Sequence, residues 1–310
     1  MTIRLGLGLP QMKQYDLGHD VVAVAREAER IGYDSLWVFE RVLVPENPRQ
    51  GMYGIAGLAW QDSYRSVADP LVVLALAAAV TERVRLGSSV LVAGLHLPFS
   101  LARTLASLDA ASGGRVLAGF GTGWSLDEYE AAGAVPFDER GAALDDLLDV
   151  CAAVWGPNPV SYRSRRTAVQ EAEVGPKPAR PIPVYLAAGG RRALDRLARR
   201  ADGWLPTGAP PDLLAARWRE LTELTASYGR DPDRLGYCVR ANARLTREPV
   251  APDRRQPFVG TVEQLVADVA AHAAAGAREV LLDLQGSARD AAELTDLAAR
   301  LHTEVRAAGV

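Results

Sequence analysis

Residues 69–80 read DPLVVLALAAAV, 84–91 VRLGSSVL, 99–112 FSLARTLASLDAAS and 115–124 RVLAGFGTGW. The order is helix, strand, helix, strand. Asp69-Pro70 opens the first helix, an acid at the N-cap followed by proline at the first helical position. Leu101, Leu105 and Leu108 share one face of the second helix, and Gly113-Gly114 stops it. The second strand runs out into Gly119-Phe120-Gly121-Thr122-Gly123-Trp124, a glycine-rich turn at its carboxyl end. In α/β folds that end of a strand is where ligands bind.

The same alternation extends outward on both sides. Strands are predicted over 3–9, 35–39, 84–91, 115–120, 182–187, 203–205, 237–245 and 279–284. Helices are predicted over 20–31, 69–80, 99–112, 138–155, 191–200, 211–228 and 261–275, with a last one running to about residue 308. Eight strands alternating with helices at this spacing argue for a parallel sheet, and eight units favour a closed (β/α)8 TIM-like barrel over an open doubly wound sheet. Right-handed crossovers put every βα loop on one face. The chain is read as one barrel domain over 1–310. Two stretches interrupt the alternation, a long loop at 40–68 rich in glycine, proline and aromatics, and an insertion at 156–180 with little periodicity.

Composition narrows the function. The 310 residues carry a net charge of -3, their arginines are scattered, and nothing points to nucleic acid or an anionic membrane. Cys151 and Cys238 lie far apart in apolar segments and read as buried thiols. The four histidines, His19, His96, His272 and His302, are too dispersed to build a zinc site, so no metal is expected. The N-terminus enters a strand directly, without a signal-peptide pattern, and the apolar run 71–80 is too short to span a bilayer; the expected location is the cytoplasm.

Several strand ends carry candidate chemistry. Ala187-Ala188-Gly189-Gly190, before the helix that begins at Arg191, is the best phosphate cradle, because glycines admit a phosphate to the backbone and the first turn of a helix offers unpaired N–H donors. Thr207-Gly208 follows the next strand. Ser88-Ser89-Val90 interrupts a buried run with small polar residues, the mark of a bulge or of a close ligand, or else of a small-side-chain interior layer. Glu40 ends the second strand, where it is either catalytic or paired with Arg41. His96 lies in the loop after the third strand, facing a pocket or solvent. Tyr53, Trp60 and Tyr64 make the 40–68 loop a candidate lid.

Together, 32–37 GYDSLW, 83–87 RVRLG, 108–115 LDAASGGR leading into 119–124 GFGTGW, and 201–204 ADGW resemble the bacterial-luciferase-like superfamily, and most closely its deazaflavin-dependent oxidoreductases. The resemblance spans essentially the whole chain. It implies a TIM-like barrel binding coenzyme F420, or alternatively FMN, at the carboxyl face. It implies the cofactor phosphate at Ala187, Ala188, Gly189, Gly190 and Arg191 and near Thr207, and the ring against Ser88, Ser89, Val90, Gly121, Thr122 and Gly123. It suggests a non-proline cis peptide at Ser89-Val90, and a homodimer. The sugar-phosphate dehydrogenases of the family have Asp-His where this chain has Glu40-Arg41, and Glu where it has Trp124. Trp124 therefore suggests an apolar substrate slot, with Asp127 a weaker ring contact and Arg191, Arg192 and Arg240 candidates for a basic exit groove.

The activity expected from this is hydride transfer between deazaflavin C5 and a small organic substrate, reducing an activated C=C or C=N bond, with Glu40 or a lid tyrosine as proton donor and Trp124 and His96 at the site. The alternative is an FMN-dependent monooxygenase fed reduced FMN by a partner reductase. A cofactor-free barrel glycosidase would need two carboxyl groups flanking the scissile bond; Glu40 is one, and Asp127 and Asp283 are weaker seconds. A non-catalytic cofactor carrier would bind the cofactor and turn over nothing.

Overall fold

A computed structural model describes residues 2–310. The barrel strands are β1 (Arg4–Gly8), β2 (Ser35–Val38), β3 (Arg85–Ser88), β4 (Leu91–Val92), β5 (Val116–Gly121), β8 (Val184–Leu186), β9 (Gly203–Trp204), β10 (Gly236–Asn242) and β13 (Glu279–Asp283). They pair in parallel in the order β3-β2-β1-β13-β10-β9-β8-β5-β4, and β3 also pairs with β5, which closes the sheet. Both β3 and β4 pair with β5, at Leu86 with Val116 and at Leu91 with Phe120, so the two are halves of one stave. The result is the closed parallel barrel of eight staves that the alternation predicts.

Among the described residues nine helices surround it: α1 (Leu17–Ile31), α2 (Pro70–Ala78), α3 (Pro98–Ser112), α4 (Leu126–Ala132), α5 (Arg140–Trp155), α6 (Arg191–Arg200), α7 (Pro211–Ser227), α8 (Val262–Ala274) and α9 (Ala291–Ala307). Asp69 caps α2 by accepting from the amides of Leu71 and Val72, with Pro70 behind it. Gly32 ends α1 in the left-handed conformation. Among the described residues no helix is long and apolar enough to cross a membrane.

Four local features differ from the expectation. Helix α1 begins at Leu17, earlier than the apolar periodicity indicates, because Asp16 caps it by accepting from the His19 amide. Helix α4 was not expected: Ser125 accepts from the Glu128 amide and turns a short polar stretch into a helix that apolar spacing does not reveal. The insertion at 156–180 follows α5 and is an antiparallel hairpin, β6 (Val160–Arg163) with β7 (Ala168–Ala172), mostly solvent-facing and therefore poor in alternation. The strand expected over 237–245 divides into β10 and a short β11 (Arg244–Leu245), which leaves the barrel to pair with β12 (Val259–Gly260).

The stave formed by β3 and β4 sets the geometry of the carboxyl face. A cis peptide joins Ser89 to Val90 between its halves. Strand β5 lies so close that a Cβ on Gly119 would meet the Ser88 carbonyl oxygen at 1.7 Å, and one on Gly121 would meet Val90 Cγ2 at 2.6 Å. The Ser88 hydroxyl bridges the same gap, donating to the Gly119 carbonyl and accepting from its amide. The glycines of 119–121 are thus required by strand approach before any ligand is considered. At the opposite end the barrel floor is closed by Glu279, 1% exposed, which accepts from Arg4, Arg85, Ser35 and Trp37.

Replacing Gly119 by alanine places a methyl against backbone that cannot yield, so the variant is expected to lose about 3 kcal/mol or more, the upper range of overpacking. A Cβ on Gly189 meets nothing within 4 Å among the described residues. Gly189→Ala should unfold in urea close to the unaltered protein, while Gly119→Ala unfolds much earlier or fails to accumulate.

Candidate active site

A cavity of about 480 Å³ opens at the carboxyl ends of the staves. Phe39, Glu40 and Arg41 enter it from the end of β2, Ser89 and Val90 from the split stave, and Gly121 to Trp124 from the end of β5. Ala187, Leu205 and Thr207 follow β8 and β9, Arg240 and Asn242 end β10, and Tyr53 and Tyr64 reach in from the long loop. A second hollow of about 460 Å³ shares Ala187, Leu205 and Thr207 with the first and continues past Ala188 and Gly189. The two share that wall and together make a two-part trough, one part at the split stave and the other at the turn before α6. Gly190 caps α6 and carries no side chain; the Ala193 amide already donates to the Gly190 carbonyl, which leaves the amides of Arg191 and Arg192 to meet an anion.

Glu40 and Arg41 do not pair with each other. One Glu40 oxygen lies 2.7 Å from His96 Nε2, and the other accepts from the Val92 amide at 2.6 Å. The glutamate therefore bridges β4 to the loop before α3. Burial opposes the charged form of His96, but the hydrogen bond and charge of Glu40, helped by Asp69, outweigh it and raise its pKa. Arg41 instead binds Glu128 of α4 at 2.6 Å, both side chains almost fully buried, and Glu128 also accepts from the Val42 amide. Burial pushes the Glu128 carboxyl up, against the pull of Arg41.

Aromatic rings enclose that guanidinium. Its carbon lies 4.7 Å from the Trp124 ring centre, 5.3 Å from Trp60 and 5.6 Å from Tyr64. Trp124 also packs against Trp60 and edge-on to Tyr53, whose hydroxyl meets that of Tyr64 at 3.1 Å. The long loop is tied down further by Asp127, which accepts from the Arg49 amide, by Glu130, which pairs with Arg49, and by Gln50, which donates to the Trp124 carbonyl.

Arg240 crosses the cavity floor. It binds Asp283 at 2.7 Å, donates to the Ser89 carbonyl of the cis peptide, and donates to Asn242. Gln285 donates to Asp283 and accepts from the Gln11 amide, and the Gln11 side chain accepts from the Phe39 amide and donates to the Phe39 carbonyl. One buried polar network thus joins the carboxyl ends of β10, β13, β1 and β2.

Of the residues predicted from sequence, Glu40, Ser89, Val90, Gly121, Thr122, Gly123, Trp124, Ala187, Ala188, Gly189 and Thr207 all line this trough. Others fall elsewhere. The Ser88 hydroxyl is spent on Gly119, inside the sheet. His96 stands behind Glu40, outside the cavity lining. Asp127 holds the loop and does not reach the cavity, because the turn of α4 aims it at Arg49. Gly190 and Arg191 sit at the start of α6, exposed, beyond the lining of either hollow. Arg240 is committed to Asp283 at the floor and forms no exit groove. Glu128, Gln11 and Gln285 escaped the sequence reading; only the S-x-x-E spacing from Ser125 to Glu128 signals one of them, as a helix start.

Comparison with known proteins gives a consistent picture. A family model described as luciferase-like monooxygenase matches residues 7–307. An uncharacterized protein of Mycobacterium tuberculosis is 36% identical over 220 residues, 70% of this chain and 77% of the relative. An F420-dependent glucose-6-phosphate dehydrogenase of Intrasporangium calvum is 30% identical over 243 residues, 71% of this chain and 68% of the relative. A monooxygenase structure from Streptomyces bottropensis superimposes with a TM-score of 0.79 at 17% identity, covering 99% of this chain and 100% of that one.

The pair of Glu40 and His96 makes stability depend on pH. His96 gains affinity for its proton on folding, so its contribution is full below the unfolded value of about 6.5 and is lost as pH rises through the higher folded value. Imidazole NMR should find His96 titrating above the ordinary range, and Glu40→Gln should bring it down. In the unaltered protein alone, the melting temperature should then carry a decrement across that alkaline interval. Separately, Glu128→Ala leaves Arg41 buried without its carboxylate and is expected to cost about 3–5 kcal/mol, read from chemical denaturation.

Proposed function

The chain belongs to the luciferase-like monooxygenase family, and on that premise we propose that this oxidoreductase uses coenzyme F420 to transfer a hydride to a small organic substrate, reducing an activated C=C or C=N bond. The observation that carries the reading is the pair of adjoining hollows, one at the Ser89-Val90 peptide and the other at Ala187 to Gly189. Their two chemistries suit a cofactor with a flat ring at one end and a phosphate beyond. The F420-dependent name of a relative at 30% identity supports the choice of ring.

Reduced F420, when bound, supplies a hydride from C5 of its ring. The protein's part is positional and electrostatic. Ser89 and Val90, fixed from below by Arg240, form the platform for the ring. Ala187 to Gly189 and Thr207 would receive the phosphate, with the amides of Arg191 and Arg192, just past the lining, as donors. The rings of Tyr53, Tyr64 and Trp124 line the slot left for the substrate and favour an apolar one. Glu40, the acid that both lines the cavity and is held by two hydrogen bonds, hands the substrate its proton.

The family's description as monooxygenases favours one second reading, FMN chemistry with oxygen, in which a partner reductase delivers reduced FMN. We also propose a homodimer: α2 is apolar on every side, and Val72 on it remains about half exposed in the single chain.

Parallel fluorescence titrations of the apo-protein with F420 and FMN decide between the cofactors. Tight F420 binding with weak FMN binding is expected; the reverse overturns the F420 reading in favour of oxygen chemistry. With reduced F420 and cyclic enones, Glu40→Gln should lower kcat by about 10²-fold or more, the usual scale for a lost general acid. An unchanged pH–rate profile in that variant would remove Glu40 as proton donor.

A further inference from the structure

Glu40 touches the cavity on one side and His96 on the other. Its side chain is only 5% exposed, whereas that of His96 is 22% exposed. The Val92 amide fixes one carboxylate oxygen and leaves the other on His96 Nε2. The imidazole, the more exposed of the two, links the carboxylate to solvent from the loop between β4 and α3.

The charges around this pair suit a proton entering from outside. Asp69, the cap of α2, and Glu40 both favour the imidazolium, while burial opposes it. Glu128 and Tyr129, on α4, face Glu40 from the other side. Burial, ahead of the neighbouring charges, pushes the Tyr129 hydroxyl up to about 12, and that hydroxyl donates to the Thr122 carbonyl, so Tyr129 is not a competing source of protons near neutrality.

We propose that His96 acts through Glu40 as a proton relay, re-protonating the carboxylate from solvent in each turnover. This rests on the hydride-transfer reading above. A reduced deazaflavin held at the site would supply the hydride to the electrophilic carbon and be oxidised by two electrons. The His96 imidazolium passes its proton to the Glu40 carboxylate, and Glu40 passes a proton on to the substrate atom that becomes electron-rich. The neutral imidazole takes one from water or buffer. The sum is one hydride and one proton added across the double bond.

The test uses the full chain with reduced F420 and cyclohex-2-en-1-one as probe. His96→Gln keeps an N–H donor for Glu40 but cannot relay a proton, and His96→Ala leaves space for free imidazole. The expected result is a loss that imidazole repairs. In His96→Gln the first turnover, followed by rapid mixing, and steady-state turnover both fall about tenfold or more, within the range of acid–base effects. Imidazole buffer, in its protonated form, restores steady-state turnover of His96→Ala in proportion to its concentration. Equal losses in both phases, with no response to imidazole, would make His96 a structural partner of Glu40 and overturn the relay. Unchanged steady-state turnover in His96→Gln would also overturn it, and would leave the F420 reading standing. Tight F420 binding by the unaltered protein without reduction of the enone would overturn the reductase reading and the relay with it.

Discussion

The carboxyl face depends on one close approach, that of β5 to the stave made of β3 and β4. The Ser88 carbonyl occupies the place where a side chain on Gly119 would be, and Val90 fills the space in front of Gly121. Two strands this close leave no layer of side chains between them. The stave breaks after Ser88, and the Ser89-Val90 peptide is turned into the cavity. A substitution at Gly119 would therefore disturb the ligand platform as well as the sheet. The cavity owes its floor to backbone, which does not change rotamer, and this suits a platform for a flat ring.

Around that floor every charged cavity residue has a partner within the fold. Arg240 has Asp283, Arg41 has Glu128, and Glu40 has His96. An isolated charge at these burials would be expensive, so each is paired and hydrogen-bonded. The pairs also join different parts of the barrel: β10 to β13, the end of β2 to α4, and the end of β2 to the loop before α3. Orientation of the site and attachment of its loops thus depend on the same bonds. The aromatic enclosure of Arg41 extends this to the long loop, since Trp60 and Tyr64 pack on a cation that α4 holds in place.

The parts legible in the sequence are those with a local signal. Alternation of strands and helices, the Asp69-Pro70 start and the Gly113-Gly114 stop all follow from neighbours within a few residues, and the barrel follows from their number. The strand ends were legible too, which is why Glu40, Gly121 to Trp124 and Ala187 to Gly189 were placed at the carboxyl face, where they line the two hollows. What stayed hidden were pairings between residues far apart in the chain. Glu40 lies beside Arg41 in sequence, yet Arg41 turns to Glu128 and Glu40 to His96, because successive residues leaving a strand point to opposite sides. Ser88 read as a ligand contact because a small polar residue in a buried strand fits that role. It fits equally the bridging of two strands too close for a side chain.

The departures from the family's sugar-phosphate dehydrogenases take on a physical sense from these pairings. An alcohol oxidation needs a base that receives a proton at the cavity wall, and a histidine at the end of the second strand would serve. Here Arg41 stands at that place and turns to Glu128, while His96 lies behind Glu40 on the far side from the cavity. The bulky Trp124 stands where those enzymes have an acid and packs on Arg41. The site of this chain thus pairs its acid with an imidazole and lines its wall with aromatic rings, two features that the sugar-phosphate dehydrogenase pattern lacks at these positions.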